Sequence, residues 1–370
     1  MSMLSSSELL AVLRLQRVPL IGDVNAKRLI ERCGSAEAIF KERKEVLLKI
    51  EGIGSTVLSG LFQSAYLEEA QEELYYIQNN TISYSFYKDE AYPKHLKHCI
   101  DAPILIFTKG NIDLNKRRII SVVGTRQITS YGQAFINEFM DVIAPMNPII
   151  VSGFAYGVDI YAQKSAIKHQ LQTIGCLAHG LNQMYPKAHE RFVPQVERNG
   201  GFITEFWSTS NPDRENFLQR NRIIAGMSEA TVVIESAEKG GSLVTADIAH
   251  SYNRDVFAVP GRSTDQFSRG CNNLIKQQKA HVLTSAADLI YMLGWELSEK
   301  QEVTIQRELF VDLNETEKSI YHYLQLNGKQ LLDTVALECN LPIYKTSSSL
   351  LHMEMKGVIR PLPGKLFEAV

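Results

Sequence analysis

No Cys-x-x-Cys pair occurs among the five cysteines (Cys33, Cys99, Cys176, Cys271, Cys339), and their number is odd. A disulfide framework or a zinc cage therefore has no support, and the thiols read as reduced, as in a cytosolic protein. No apolar run approaches membrane-spanning length, and Glu8, Arg14 and Arg17 interrupt the N-terminal stretch, so neither a spanning helix nor a signal peptide is expected. A cytoplasmic protein without membrane contact follows. Excess charge of one sign is also missing, the net charge being −2. A polyanionic partner would have to be held by a local groove and oriented amides rather than by a global basic field. No turn spells Gly-x-Gly-x-x-Gly: Gly124 is followed by Thr-Arg-Gln and Gly153 by Phe-Ala-Tyr-Gly, which disfavours a dinucleotide cofactor. There is no His-Glu-x-x-His, and Ser152 is not in a Gly-x-Ser-x-Gly elbow, so metal-dependent hydrolysis and acyl transfer have little support. No cofactor and no metal are expected.

What is present is a chain of 370 residues, 45% apolar and 22% charged, the composition of a soluble globular protein with two or three domains. Residues 1–75 are helical in pattern and balanced in charge, with two glycine turns, Val18–Gly22 and Lys49–Gly54. The second resembles a helix–hairpin–helix, whose Gly-apolar-Gly turn offers amides to a DNA phosphate. The first departs from it at Asp23 and Val24, and a small helical adapter whose glycines cap helices accounts for the region as well. Residues 76–298 then alternate short apolar, β-branched runs with ten-to-fifteen-residue helical stretches. The runs are Thr81–Tyr87, Ile104–Thr108, Arg117–Arg126 as a strand running into a turn, Ile149–Gly153, Thr173–Ala178, Gly201–Glu205, Ala230–Ile234 and Asp255–Val259. That alternation predicts an α/β fold built on a Rossmann-like, doubly wound, mostly parallel sheet. Residues 299–312 read as a charged linker. Residues 313–370 have the layout of a winged helix, with helices at Glu315–Leu326, Leu331–Cys339 and Tyr344–Lys356 and a hairpin over Val358–Phe367. The third helix offers Lys345, Thr346, Ser347–Ser349 and His352 but no Arg, Asn or Gln to read bases, which favours a protein-contacting or intramolecular role over sequence reading.

In a doubly wound sheet, ligands sit at the carboxyl ends of the strands. Here those ends carry Gly124-Thr125-Arg126, Ser152-Gly153, Gly180, Glu205 and Gly240-Gly241-Ser242. Small and hydroxylic turns let an oxygen-rich ligand approach the backbone, and Arg126 supplies a planar cation suited to phosphate. The Gly-Gly-Ser turn opens a helix, so its amides form an anion site or, on the plainer reading, only a tight turn with Ser242 as cap. Asp247 and His250, one turn apart, read as polar residues on a wet helix face. His179 and His189 flank Tyr185-Pro186-Lys187 without metal-ligand spacing.

Together these segments resemble the DNA-processing protein A family, DprA, also called Smf. The matching pieces are Val123–Arg126, Ser152–Asp159, Gly180–Asn182 with Tyr185-Pro186, Thr204-Glu205, Arg220–Ser228, Gly240–Ala246 and Val256–Gly261. The resemblance implies a homodimeric protein that is not an enzyme and that binds single-stranded DNA. It further implies protection of incoming DNA in natural transformation and loading of a RecA-type recombinase onto it, including strands coated by single-strand binding protein. Carried over by residue, the resemblance makes Gly124, Thr125 and Arg126 a phosphate-binding turn. Lys187 matches a DNA-contacting lysine, Phe192 lies near an aromatic position that stacks on a base, and Gly240, Gly241 and Ser242 lend amides or a hydroxyl to phosphate. Ser152 and Gly153 join them at the strand ends. Arg220 and Arg222 are either groove residues or buttresses of the fold. The sequence departs from the family at Gln163, His189 and Asn182.

Two rivals remain. A nucleotide-phosphate hydrolase of the phosphoribohydrolase type would use a PGGxGTxxE turn, but Ala237–Leu243 lacks the proline and the Gly-Thr pair, and Asp247 stands for the glutamate. A sequence-specific regulator would read duplex DNA with the winged helix.

Overall fold

The computed structural model describes residues 4–80, 82–114, 118–295, 313–362 and 365–369. It falls into two compact units, Met1–Leu297 and Ser298–Val370. The expected linker at 299–312 lies outside the described residues.

The first unit begins with α1 (Ser6–Arg17), α2 (Asp23–Cys33), α3 (Ala36–Lys41), α4 (Lys44–Leu47), α5 (Ser55–Leu58) and α6 (Ala65–Asn79). Ser5 caps α1 by accepting the Glu8 amide at 3.2 Å, and Ser35 caps α3 in the same way from Ala38. Side-chain acceptors of this kind satisfy N–H groups that a helix start leaves open. The two glycine turns of the sequence lead into α2 and α5. Gly52 holds φ +81, a conformation that costs a residue with a Cβ.

The sheet follows: β1 (Ser83–Phe86), α7 (Lys94–Lys97), β2 (Leu105–Gly110), β3 (Ile119–Val123), α8 (Ser130–Ile143), β4 (Ile149–Ser152), α9 (Val158–Lys168), β5 (Thr173–Cys176), α10 (Val193–Arg198) and β6 (Gly200–Thr204). It continues through α11 (Arg214–Met227), β7 (Ala230–Val233), α12 (Gly241–Ser251), β8 (Asp255–Ala258), α13 (Arg269–Lys276), β9 (His281–Val282) and α14 (Ala286–Met292). Its strand order is β1-β2-β6-β5-β4-β3-β7-β8-β9. β1 with β2 and β2 with β6 pair antiparallel, while β3 with β4 and with β7 are parallel, as are the remaining pairs. The central strands are buried on both faces, which explains their continuous apolar runs. Ile119 and Val123 enter the core shared with Leu9, Leu13, Leu29 and Ile30 of the N-terminal helices. Ile120 and Val122 enter the opposite core with Phe139 and Phe257. The chain steps from β3 through β4 and β5 to β6, then returns to place β7 on the other side of β3. The order reverses there, between the carboxyl ends of β3 and β7, where an open α/β sheet leaves a crevice.

The second unit contains α15 (Glu315–Asn327), β10 (Gln330–Leu331), α16 (Leu332–Glu338), α17 (Ile343–Met355), β11 (Ile359–Leu362) and β12 (Leu366–Ala369), a winged helix as expected. Asn314 and Glu317 form a reciprocal capping box at the start of α15, and Ile320, Leu324, Val335, Leu350 and Met353 make a separate core. α17 exposes Tyr344, Leu351 and Met355.

Candidate nucleic-acid interface

Three segments converge at the β3/β7 crevice and enclose a cleft of about 570 Å³. The turn after β3 supplies Gly124, Thr125 and Arg126; the turn after β7 supplies Ser236, Ala237, Lys239, Gly240, Gly241 and Ser242; the first turns of α11 supply Arg214 and Phe217. The two turns are fastened together, because the Thr125 amide donates to the Glu235 carbonyl at 2.7 Å. A Cβ on Gly124 would meet that carbonyl at 2.9 Å and Val158 Cγ2 at 2.5 Å, so only glycine permits the approach. The Thr125 carbonyl accepts from Val158 at 3.0 Å, which ties the start of α9 to the same turn. Gly157, just before it, holds φ +76.

The start of α12 has no side-chain cap. Ser242 Oγ donates to Ser236 Oγ at 3.0 Å, and Ser236 Oγ donates to the Ala237 carbonyl at 3.0 Å. The Ser242 hydroxyl thus secures the turn instead of capping the helix as on the plainer reading. The amides of Gly241 and Ser242 have no acceptor among the described residues. They sit at the positive end of an eleven-residue helix, which is a ready anion site. Across the cleft, exposed Arg126 lays its guanidinium over the Phe217 ring, 5.7 Å from the centroid.

Arg220 lines the cleft but is 4% exposed. Its Nη1 donates to the Gly153 carbonyl at 2.7 Å and to the Cys176 carbonyl, while Nε reaches Asn221 Oδ1 at 3.4 Å. Of the two readings for this arginine, the buttress holds for most of the guanidinium. Beside it, Asp159 Oδ2 accepts the Gly153 amide at 3.1 Å. Burial pushes the Asp159 carboxyl above the usual carboxylate range, and the Arg220 charge offsets this only in part. Ser152 and Gly153 do not line the cleft: the Ser152 hydroxyl is fully buried and donates to the Val122 carbonyl at 2.6 Å. Arg222 is also a correction as a groove residue. It is buried and pairs with Asp23 at 2.9 Å and with Glu205, joining α2 and the end of β6 to α11.

Lys187 and Phe192 bound a short 3-10 turn after β5 and lie outside the cleft lining. Lys187 is exposed, and the half-buried Phe192 ring carries Arg191 at 4.7 Å and Lys164 at 5.1 Å. The Tyr185 ring lies 5.7 Å from that of Phe217, so an aromatic link runs from the cleft rim toward this turn. His179 Nε2 accepts the Tyr185 amide at 3.2 Å, which leaves the proton on Nδ1 to be donated to the Gly180 carbonyl at 2.9 Å; burial lowers its pKa. His189 Nδ1 lies 2.9 Å from the Phe154 carbonyl. Both histidines are structural. Asp247 and His250 are exposed, and Asp247 pairs with Lys279 at 2.8 Å, so neither faces the cleft.

Arg214, Phe217, Lys239 and Asn221 were not singled out from the sequence, although all four line the cleft. The available signal was the spacing of Arg214, Phe217, Asn221 and Ile224, three or four residues apart behind the capping Asp213, which puts them on one helix face.

Comparison with known proteins gives this geometry a family. A family described as "DNA recombination-mediator protein A" matches residues 83–294, and one described as "DprA winged helix domain" matches residues 314–365. A "DNA processing protein DprA" of Bacillus subtilis is 37% identical over 57% of this chain and 70% of its own. The X-ray structure of DNA processing protein A from Streptococcus pneumoniae aligns with TM-score 0.64 and 28% identity, covering 78% of this chain and 98% of that one. A structure of the Helicobacter pylori protein, described for its single-stranded DNA binding mode, aligns with TM-score 0.52 and 27% identity over 57% of this chain and 95% of its own. With its core and its winged helix both matched, this chain belongs to the DNA recombination-mediator protein A family, DprA/Smf.

Proposed function

We propose that this protein binds single-stranded DNA without regard to sequence and delivers it to a RecA-type recombinase. The observation that carries the reading is the cleft at the β3/β7 switch point. There the unpartnered amides of Gly241 and Ser242 stand with Lys239 among the lining residues shared with Arg126. Such a site holds a phosphate and ignores the base. From its rim, Phe217, Tyr185 and Phe192, with Lys187, Arg191 and Lys164, offer rings and cations in the mixture that tracks a single strand. The single-stranded DNA binding described for the Helicobacter pylori relative supports the reading.

In the division of labour that we propose, residues 76–298 bind the strand as a homodimer, with Gly124, Thr125, Arg126, Gly240, Gly241 and Ser242 holding phosphate and Lys187 and Phe192 further along. Residues 1–75, and residues 313–370 joined to the core through 299–312, serve as accessory contacts, and the strands loaded include those coated by single-strand binding protein. A protein carrying Arg126→Glu and Lys187→Glu should keep its far-ultraviolet spectrum and lose oligo-dT binding in a gel-shift assay. Unchanged affinity would remove the cleft from the pathway of the strand.

A further inference from the structure

The cleft has features that a passing sugar–phosphate backbone does not require. Besides its anion end, it has an apolar wall made by Pro212, Phe217, Leu218 and Ile224 of the α11 region. Its floor holds Arg220, whose Nη2 has no acceptor among the described residues although the side chain is 4% exposed. Nη2 is not sealed from solvent as a buried orphan, so it can donate to an incoming oxygen. Asn221 Oδ1 accepts from Arg220 Nε, and its amide nitrogen has no acceptor among the described residues. At about 570 Å³ the space is that of a small-molecule site.

We propose that this cleft also binds a free nucleoside 5′-monophosphate. The phosphate lies on the Gly241 and Ser242 amides, and the base lies against the wall at Phe217. The inference rests on the reading of the cleft as the anchor for the strand, and it makes free nucleotides competitors of the strand. One phosphate and one base give far fewer contacts than a strand, so a dissociation constant on the order of 1 mM is expected.

The experiment uses the full chain and dTMP as the probe, read by ligand-observed NMR and by displacement of a fluorescent oligo-dT. Gly241→Asp is the diagnostic variant. A Cβ there meets nothing within 4 Å, and an acidic residue at a helix start favours the helix, so the protein folds while its anion end turns repulsive. The expected result is dTMP binding that displaces the oligonucleotide and weakens at least tenfold in Gly241→Asp. If dTMP fails to bind up to about 10 mM while oligo-dT binds, the inference falls and the strand reading stands. Displacement by inorganic phosphate as effective as that by dTMP, or dTMP binding without displacement, also overturns it. If neither dTMP nor oligo-dT binds, both readings fall together.

Discussion

Arg222 reaches Asp23 across 199 positions of sequence, its Nη2 donating to Asp23 Oδ2 at 2.9 Å. The same nitrogen pairs with Glu205, so one guanidinium at 8% exposure joins α2, β6 and α11. Asp23 Oδ1 also accepts the Ile104 amide at 2.8 Å, and Glu73 of α6 accepts both the amide and the hydroxyl of Ser208. The N-terminal helices are thus held to the sheet by buried polar junctions as well as by a shared core. Removing one partner of a buried pair leaves the other charge stranded, at a cost of roughly 3–5 kcal/mol. Arg222→Met should therefore lower the unfolding free energy, read from urea titration, by about that much. Oligo-dT affinity measured below the transition should stay within twofold, since the residue is not in the cleft.

Glu205 makes the same junction sensitive to pH. Burial, with Asp23 nearby, lifts its carboxyl from the ordinary 4.5 to about 7 despite the neighbouring Arg222. Between those values the folded chain holds a proton that the unfolded chain releases, so this residue's contribution to stability is complete at low pH and declines as pH rises toward 7. Glu205→Gln removes the titration. The variant should gain stability relative to the parent between pH 5 and 7, on the order of 2 kcal/mol, as measured by urea unfolding at each pH. Parallel curves for the two proteins would assign the titration elsewhere.

Gln163 lies in α9 with no exposure, and neither its Nε2 nor its Oε1 has a hydrogen-bond partner among the described residues. Phe202 and Gly175 pack near it. An unsatisfied buried amide costs about 1–3 kcal/mol, whereas methionine fills a similar volume with no polar atom to satisfy. Gln163→Met should raise the thermal midpoint. A lower midpoint would show that the amide is satisfied in solution.

Gly157 connects the start of α9 to the β3 turn. Its φ is +76, and an added Cβ would sit 2.2 Å from the Thr125 carbonyl oxygen and 2.5 Å from the Arg126 carbonyl carbon. Backbone strain of this kind costs about 1–3 kcal/mol, and relief of the clash has to move the turn that carries Arg126. Gly157→Ala should lose both stability and oligo-dT affinity, whereas Arg126→Gln should lose affinity alone. Melting curves and binding isotherms on the two proteins separate these outcomes.

The sheet was legible because strands buried on both faces need unbroken apolar, β-branched runs, and Ile119–Val123 and Ala230–Val233 are such runs. The cleft's two turns were legible because close backbone approach demands glycine at 124, and because a Gly-Gly-Ser run between a strand and a helix is itself a turn signal. The arginines were not. Arg220 and Arg222 stand two apart on α11, so they point to different sides of the helix, and only one could meet the cleft. Which one depends on Asp23, nearly two hundred residues away, and no local pattern contains that. Arg214 and Phe217 carry no local signal for a related reason: they lie between the two glycine turns, outside both, and their helical spacing gains meaning only once α11 is placed over the crevice. Gln163 marked a family departure in the sequence, but its lack of partners emerges only from the packing of α9 on β5.

Arg126 has two separable roles, charge and shape. Its charge neutralises a phosphate, so each such contact removed from a single strand changes the slope of log affinity against log salt by roughly 0.7. Its planar guanidinium rests on the Phe217 ring at 5.7 Å, an arrangement that a lysine ammonium does not reproduce. Arg126→Gln should therefore lower oligo-dT affinity and flatten the salt slope by about that amount. Arg126→Lys should keep the slope and still lose several-fold in affinity, because the cation is no longer held flat on the ring. Fluorescence anisotropy across a potassium chloride series distinguishes the two. If Arg126→Lys binds as tightly as the parent, Phe217 does not position this cation; if Arg126→Gln keeps the full slope, Arg126 does not touch a phosphate.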